Sequence, residues 1–393
     1  MFKLGNLDQE TIKDYNKKKI LNILYKERNL TKQEIAKRLN LSIPTVISNV
    51  NELIEEGLVD EAGVADSTGG RKPVIVQFIP EARYSFGVDI DLEKAEVILT
   101  NLDSEIKRRI YFKIDEKNKN IKGIMDKISI EVKKIIKEEK IPEKKILGIG
   151  ISLPGTVNEE KLILEIAPNL ELKNISFEEF EPLFNFPMYI ENEANAAAYA
   201  ELNLGVAKKL SDLVYISVTR GIGAGIVIKG HLYKGKNRRA GELGHMTIFN
   251  EDIQCKCGKK GCWELYASEK ALLKNYNMKT GERLAGISEF FDKVDKNESE
   301  AVEVLDVYLK HLSIGIQNII LIFDPDYIII GGKISNYDNK LIKPLTEKVF
   351  LNGSFFAEKD SKILFSRLKE DSSILGASLI PMNSLFFLHE KII

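Results

Sequence analysis

All three cysteines of the chain, Cys255, Cys257 and Cys262, fall within eight positions of "GELGHMTIFNEDIQCKCGKKGCWE" (residues 241–264), and His245 stands ten residues ahead of the first. Three clustered thiols make a poor disulfide framework, because one is always left over. With the histidine they form a closed N-S-S-S donor set of the kind that holds one structural zinc, and Gly258 and Gly261 allow the tight turn between the second and third thiolates. Three incidental reduced cysteines are the alternative. Glu242 precedes His245 by three residues and Glu264 follows Cys262 by two. A loop folded around a metal therefore brings two carboxylates and an imidazole together, which is a hydroxyl-binding surface.

These groups sit in a chain with 44% hydrophobic residues and with 57 basic side chains against 58 acidic ones, a balance that excludes a global polyanion binder. The opening "MFKLGNLDQETIKDYNKKK" has no apolar core of signal-peptide length, and no later run approaches the roughly 20 apolar residues needed to cross a bilayer. The expectation is a cytoplasmic protein without membrane contact, in a compartment that keeps thiols reduced.

Charge is uneven at the start. Between Lys13 and Arg38 there are nine Lys or Arg against three acids. Ile20, Ile23, Leu24 and Leu30 have near-helical spacing and predict a first helix with a basic outer face. "TKQE" makes Thr31 the N-cap of a second helix, with Glu34 completing a capping box. Ser42 caps a third, with Pro44 in its first turn and Val46, Val50, Leu53 and Ile54 facing inward before Gly57. Thr45, Ser48, Asn49 and Glu52 are then expected to face out. Two short helices joined by a tight turn match the helix-turn-helix that lays its second helix in the major groove. The segment "GLVDEAGVADSTGGRKPVIVQFIP" adds two β-prone runs around a Gly-rich loop, a wing whose "GGRKP" tip would bring Arg71 and Lys72 to an A·T-rich minor groove. Lys18, Ser42, Thr45, Ser48, Asn49, Arg71 and Lys72 are the candidate DNA contacts, and a helical protein-interaction domain is the alternative.

From about residue 80, apolar runs of strand length alternate with amphipathic stretches, which argues for α/β architecture. The motifs "GIGISLPGTV", "APNL", "ENEANAAAYAE", "RGIGAGI", "GELGH", "CKCGKKGCWE" and "IIIGG" follow in order over residues 80 to 393. In these the chain resembles the ROK family, which holds both sugar kinases and sugar-responsive repressors, and a preceding winged helix is the arrangement of its repressor branch, the xylose repressors among them. The resemblance implies a two-lobed, actin-like (ribonuclease H-like) fold behind a winged helix-turn-helix. It implies a winged helix over 1–78, a first lobe over 79–190 completed by about 373–393, and a second lobe over 191–372. It assigns His245, Cys255, Cys257 and Cys262 to zinc. It also places Asn169, Asn192, Glu193, Glu242, His245 and Glu264 around a sugar.

Two departures from the kinases follow. Glu193 stands where they carry the aspartate that takes a proton from the attacking hydroxyl, and its extra methylene displaces the carboxylate by roughly an ångström. Asp91, Leu92 and Glu93 replace the Gly-Gly-Thr of the phosphate hairpin, and Arg220 replaces a threonine in the second phosphate turn. Carboxylates and side chains there oppose the close backbone approach a triphosphate needs. The expectation is therefore a non-enzymatic, sugar-responsive repressor of carbohydrate-utilisation genes. It would bind a palindromic operator with A·T-rich flanks as a homodimer or homotetramer. An ATP-dependent ROK sugar kinase with an extra DNA-binding domain, and a repressor governed by a protein partner, are the competing readings.

Overall fold

The computed structural model describes residues 9–64, 74–114, 120–249, 253–351 and 355–386. The first segment folds as α1 (Gln9–Glu27), β1 (Asn29–Thr31), α2 (Lys32–Leu39), α3 (Ile43–Glu55), β2 (Val59–Val64) and β3 (Val74–Phe78). The local signals act as their chemistry dictates. Thr31 Oγ1 accepts from the Glu34 amide at 3.2 Å while Glu34 Oε2 accepts from the Thr31 amide at 2.7 Å, so each satisfies an orphan donor at the start of α2. Ser42 Oγ likewise accepts from the Thr45 amide at 3.2 Å and starts α3. Leu30 corrects the helical stripe drawn through it: Arg28 adopts φ 70°, α1 stops, and Leu30 is buried from β1 instead. The strands pair antiparallel in the order β1-β3-β2, so β2 and β3 form the expected wing hairpin. Its tip, with Arg71 and Lys72, lies outside the described residues.

Two sheets carry the rest. The first is built from β4 (Tyr84–Ile90), β5 (Lys94–Asn101), β6 (Ile106–Lys113), β7 (Ile146–Leu153) and, after a small antiparallel sheet of β8 (Thr156–Asn158), β9 (Ile163–Ala167) and β10 (Leu172–Ser176), β11 (Met188–Asn192). The helix α4 (Ile121–Glu138) buries Ile124, Ile128, Val132 and Ile135 in the same core and turns its lysines to solvent. The second sheet comprises β12 (Leu213–Val218), β13 (Ile222–Ile228), β14 (His231–Leu232), β15 (Tyr327–Gly331) and β16 (Lys362–Phe365). In each sheet three strands form an antiparallel meander, and the fourth and fifth add parallel to the first, giving the orders β6-β5-β4-β7-β11 and β14-β13-β12-β15-β16. This repeated order is the two-lobed, ribonuclease H-like architecture.

Helices α5 (Glu193–Asn203), α6 (Glu264–Ala267), α7 (Glu269–Thr280), α8 (Ile287–Asp295), α9 (Ser299–Phe323), α10 (Asp338–Val349) and α11 (Ser372–Leu379) complete the layers. By length and composition α9 could cross a membrane, which corrects the expectation that no segment approaches that threshold. Its Leu309, Leu312, Ile316, Ile319 and Ile320 are buried in the second core, as in a core helix of an α/β lobe. The closing helix α11 returns to the first sheet and crosses α5. A Cβ at Gly376 would stand 1.8 Å from the Ala196 carbonyl oxygen, so only glycine permits this crossing.

The winged helix shares its core with the first lobe. Leu102, Tyr199, Leu379, Met382 and Phe386 pack with Ile20, Leu24, Leu53 and Phe78 in one buried cluster. The rings of Tyr25 and Phe386 lie 5.0 Å apart, Tyr199 Oη donates to Asn383 Oδ1 at 2.6 Å, and Arg28 pairs with Asp103 at 2.5 Å.

Candidate functional site

A cleft of about 1090 Å³ runs between the two sheets, and Asn169, Asn192, Glu193, Glu242, His245 and Glu264 all line it. The end of β11 and the start of α5 supply one wall. Asn192 caps α5, with Oδ1 accepting from the amides of Ala194 at 2.9 Å and Asn195 at 3.1 Å, and its Nδ2 donates to the Gly155 carbonyl at 2.8 Å. Most of this amide is thus engaged in fixing the "SLPG" turn against α5, leaving one N–H for a ligand.

Glu193 opens α5 and accepts from Ser217 Oγ at 3.4 Å. Burial pushes its carboxyl up to about 8, and the charges of Asp89 and Asp91 add to the rise. Asp89, which sequence reasoning did not single out, is pushed up to about 6 by burial, against the hydrogen bond it accepts from Ser152 at 2.8 Å. Near neutral pH Glu193 therefore keeps its proton and offers a donor as well as an acceptor.

The cysteine loop forms the opposite wall. Among the described residues, His245, Cys255, Cys257 and Cys262 form the group whose ligand atoms lie within 4.8 Å of one another. Cys257 and Cys262 sulfurs are 3.6 Å apart, and Cys255 Sγ is 3.6 Å from His245 Nδ1. Tetrahedral zinc with bonds of about 2.3 Å separates two sulfurs by about 3.8 Å, so the donor set and its spacing suit that ion. Gly258 and Gly261 take φ of 90° and 67°, the left-handed turn that brings Cys262 back to Cys257. Glu264 Oε1 lies 3.5 Å from His245 Nδ1, and Glu242 Oε2 lies 3.9 Å from Nε2. The imidazole thus points one nitrogen at the cysteines and the other at a cleft carboxylate. Glu242 also accepts from Thr156 Oγ1 at 3.4 Å, and Trp263 anchors the loop by donating to the His311 carbonyl of α9 at 3.0 Å.

Ion pairs tie the two walls together. Lys234, 2% exposed, lies 2.9 Å from Glu159 and 2.5 Å from Glu191, the neighbour of Asn192. Arg238 pairs with Glu159 at 2.8 Å. Burial raises the Glu159 carboxyl, but the two cations outweigh it and hold it below the usual range. None of these four was evident from sequence, since their pairing depends on how the lobes close. At the outer end of the cleft, Arg220 pairs with Glu93.

On the winged helix, Ser42 is spent capping α3 and sharing a 2.7 Å hydrogen bond with the half-exposed Thr45. Ser48 is exposed. Lys18 pairs with Asp14 at 3.4 Å, and the basic face is further neutralised where Lys13 pairs with Glu52 and Lys17 with Glu56. Asn49 corrects the expectation that it faces DNA. It is 2% exposed, with Nδ2 donating to the Thr45 carbonyl at 2.8 Å, because it lies three residues after Val46 and four before Leu53 on the buried stripe.

Comparison with known proteins agrees with this geometry. A family profile described as "ROK family" matches residues 85–383. The chain belongs to the ROK family. A second profile, "Winged helix-turn-helix DNA-binding", matches residues 13–60, so this member carries the winged helix before its ROK lobes. The xylose repressor of Bacillus spizizenii is 33% identical over 378 residues, covering 95% of this chain and 96% of that protein. NagC, the DNA-binding transcriptional dual regulator of Escherichia coli, is 23% identical over 98% of this chain and 97% of its own length. Among solved structures, a ROK family transcriptional regulator homologous to E. coli MLC superposes with a TM-score of 0.81 at 24% identity, covering 96% of this chain and 98% of that one. A Streptomyces griseus ROK glucokinase, in complex with glucose and AMPPNP, superposes with a TM-score of 0.66 at 24% identity over 75% of this chain and 98% of its own.

Proposed function

We propose that this protein is a cytoplasmic, sugar-responsive transcriptional repressor of carbohydrate-utilisation genes, of the xylose-repressor type. The observation that carries the reading is the winged helix sharing one core with the first lobe, joined to full-length likeness to a xylose repressor at 33% identity. The working domains are 1–78, 79–190 with about 373–393, and 191–372. A sugar is held in the cleft by Asn169, Asn192, Glu193, Glu242, His245 and Glu264. His245, Cys255, Cys257 and Cys262 hold one zinc, which supplies rigidity and fixes the direction of the imidazole. The sugar touches both walls, favours one lobe arrangement, and so alters the spacing of two DNA-reading heads in a homodimer or homotetramer on a palindromic operator. A panel of pentoses and hexoses scored by thermal shift, followed by operator binding with the responding sugar, tests this. A sugar that stabilises the protein without altering DNA binding would refute the coupling.

An ATP-dependent sugar kinase is the second reading, favoured by one observation: a carboxylate side chain, Glu193, lines the cleft at the position where the resemblance places the proton-accepting aspartate of the kinases. The Glu93–Arg220 pair and the carboxylate of Asp91 in the phosphate turns weigh against it. Coupled assays with ATP are expected to stay at background, and turnover of about 1 s⁻¹ or more would reverse the order of the readings.

A further inference from the structure

The burial of Asn49 leaves the outer face of α3 to other residues. Ile43, Pro44, Ile47, Ser48, Asn51 and Glu55 are exposed there, and Ile43 and Ile47 each keep 40% of their surface in water. Ile43, Ile47 and Asn51 form one row at four-residue spacing, which spans about 12 Å along the helix, or three to four base steps.

Charge orients this row. The first turn of α3 has no acidic residue, so the positive end of its dipole is uncompensated. Its acids, Glu52 and Glu55, lie in the last turn, with Glu56 just beyond, where they would meet phosphates with like charge; Glu52 and Glu56 are held back against α1 by Lys13 and Lys17. The part of α3 ahead of these acids is therefore the part suited to entering the groove, and the side chains it leaves in water are those of Ile43, Pro44, Ile47, Ser48 and Asn51, with Thr45 half-exposed. None is cationic. Guanine is read chiefly by Arg or Lys at O6 and N7, whereas the thymine C5-methyl takes apolar contact and adenine takes a bidentate amide at N6 and N7.

Resting on the reading of the winged helix as a DNA-binding domain, we propose that α3 reads A·T base pairs in the major groove. Ile43 and Ile47 pack on thymine methyl groups, and the Asn51 amide pairs with an adjacent adenine. This extends A·T preference from the flanks to the major-groove half-site itself. Asn49 acts only in holding the first turn of α3 through the Thr45 carbonyl.

The test uses the full chain and a duplex selected from a random pool for tight binding. Replacing half-site thymines by uracil removes only the methyl groups. Wild-type protein is expected to lose about four-fold in affinity for each contacted methyl, while Ile47→Ala binds thymine and uracil duplexes alike at one of those positions. Asn51→Ala is expected to lose about ten-fold and to accept other bases at one position per half-site. Asn49→Ala should lower the melting temperature and keep the wild-type base preference. Selected duplexes rich in G·C at the half-site, or equal affinity for thymine and uracil duplexes, overturn the proposal while leaving DNA binding intact. Failure to select any duplex overturns both.

Discussion

Arg220 and Glu93, which stand in two turns that line the cleft, form an ion pair with each other. Together the two side chains make a charged contact between the lobes. The turns belong to opposite sheets, since Glu93 lies between β4 and β5 and Arg220 between β12 and β13. The pair is therefore made only when the lobes approach.

Such a clasp predicts a charge-swap result. Glu93→Arg and Arg220→Glu should each weaken sugar binding by up to about five-fold, the range for a solvent-exposed pair, and the double swap should recover most of it. Calorimetric titration with the responding sugar at low and high salt reads this directly. Additive losses in the double variant would mean that the two side chains act separately.

Burial of Glu193 predicts a pH effect with a definite sign. Its carboxyl rises from 4.5 to about 8 in the fold, so between these values the native protein binds more protons than the unfolded chain. Stability contributed by the protonated form is full below the unfolded value and is lost as pH rises through about 8. Wild-type melting temperature should fall from pH 6 to pH 9. Glu193→Gln, which keeps a neutral donor and acceptor, should fall less and be the more stable at pH 9, by on the order of a few kcal/mol. Identical pH profiles for the two proteins would contradict the placement of an uncompensated carboxyl there.

The cysteine loop predicts one zinc per chain after extensive dialysis, measured by elemental analysis. Cys257→Ser is expected to lose most of that metal and the thermal-shift response to sugar, because His245 and Glu264 then lose their common anchor. Full metal with full sugar response in this variant would separate the cluster from the cleft.

Short-range chemistry was legible in the sequence wherever one residue decides a local conformation. Thr31 with Glu34, and Ser42 before Pro44, announced the starts of α2 and α3, and the cysteine spacing announced a group able to close on one ion. Asn49 misled because polarity masked its place on the buried stripe. Lys234 and Arg238 lie in a loop whose acidic partners, Glu159 and Glu191, come from the other side of the cleft. No periodicity encodes such a meeting, since it exists only after both sheets have formed.

The buried cluster that joins Phe78 and Tyr25 to Leu379, Met382 and Phe386 has a consequence for how such chains can be recombined. A head cut away near residue 79 would lose part of its own interior, and the lobes would be left with an apolar scar. Head and sensor should therefore melt as one cooperative unit. A chimera that borrows another repressor's operator preference would have to exchange the final helix together with the first three.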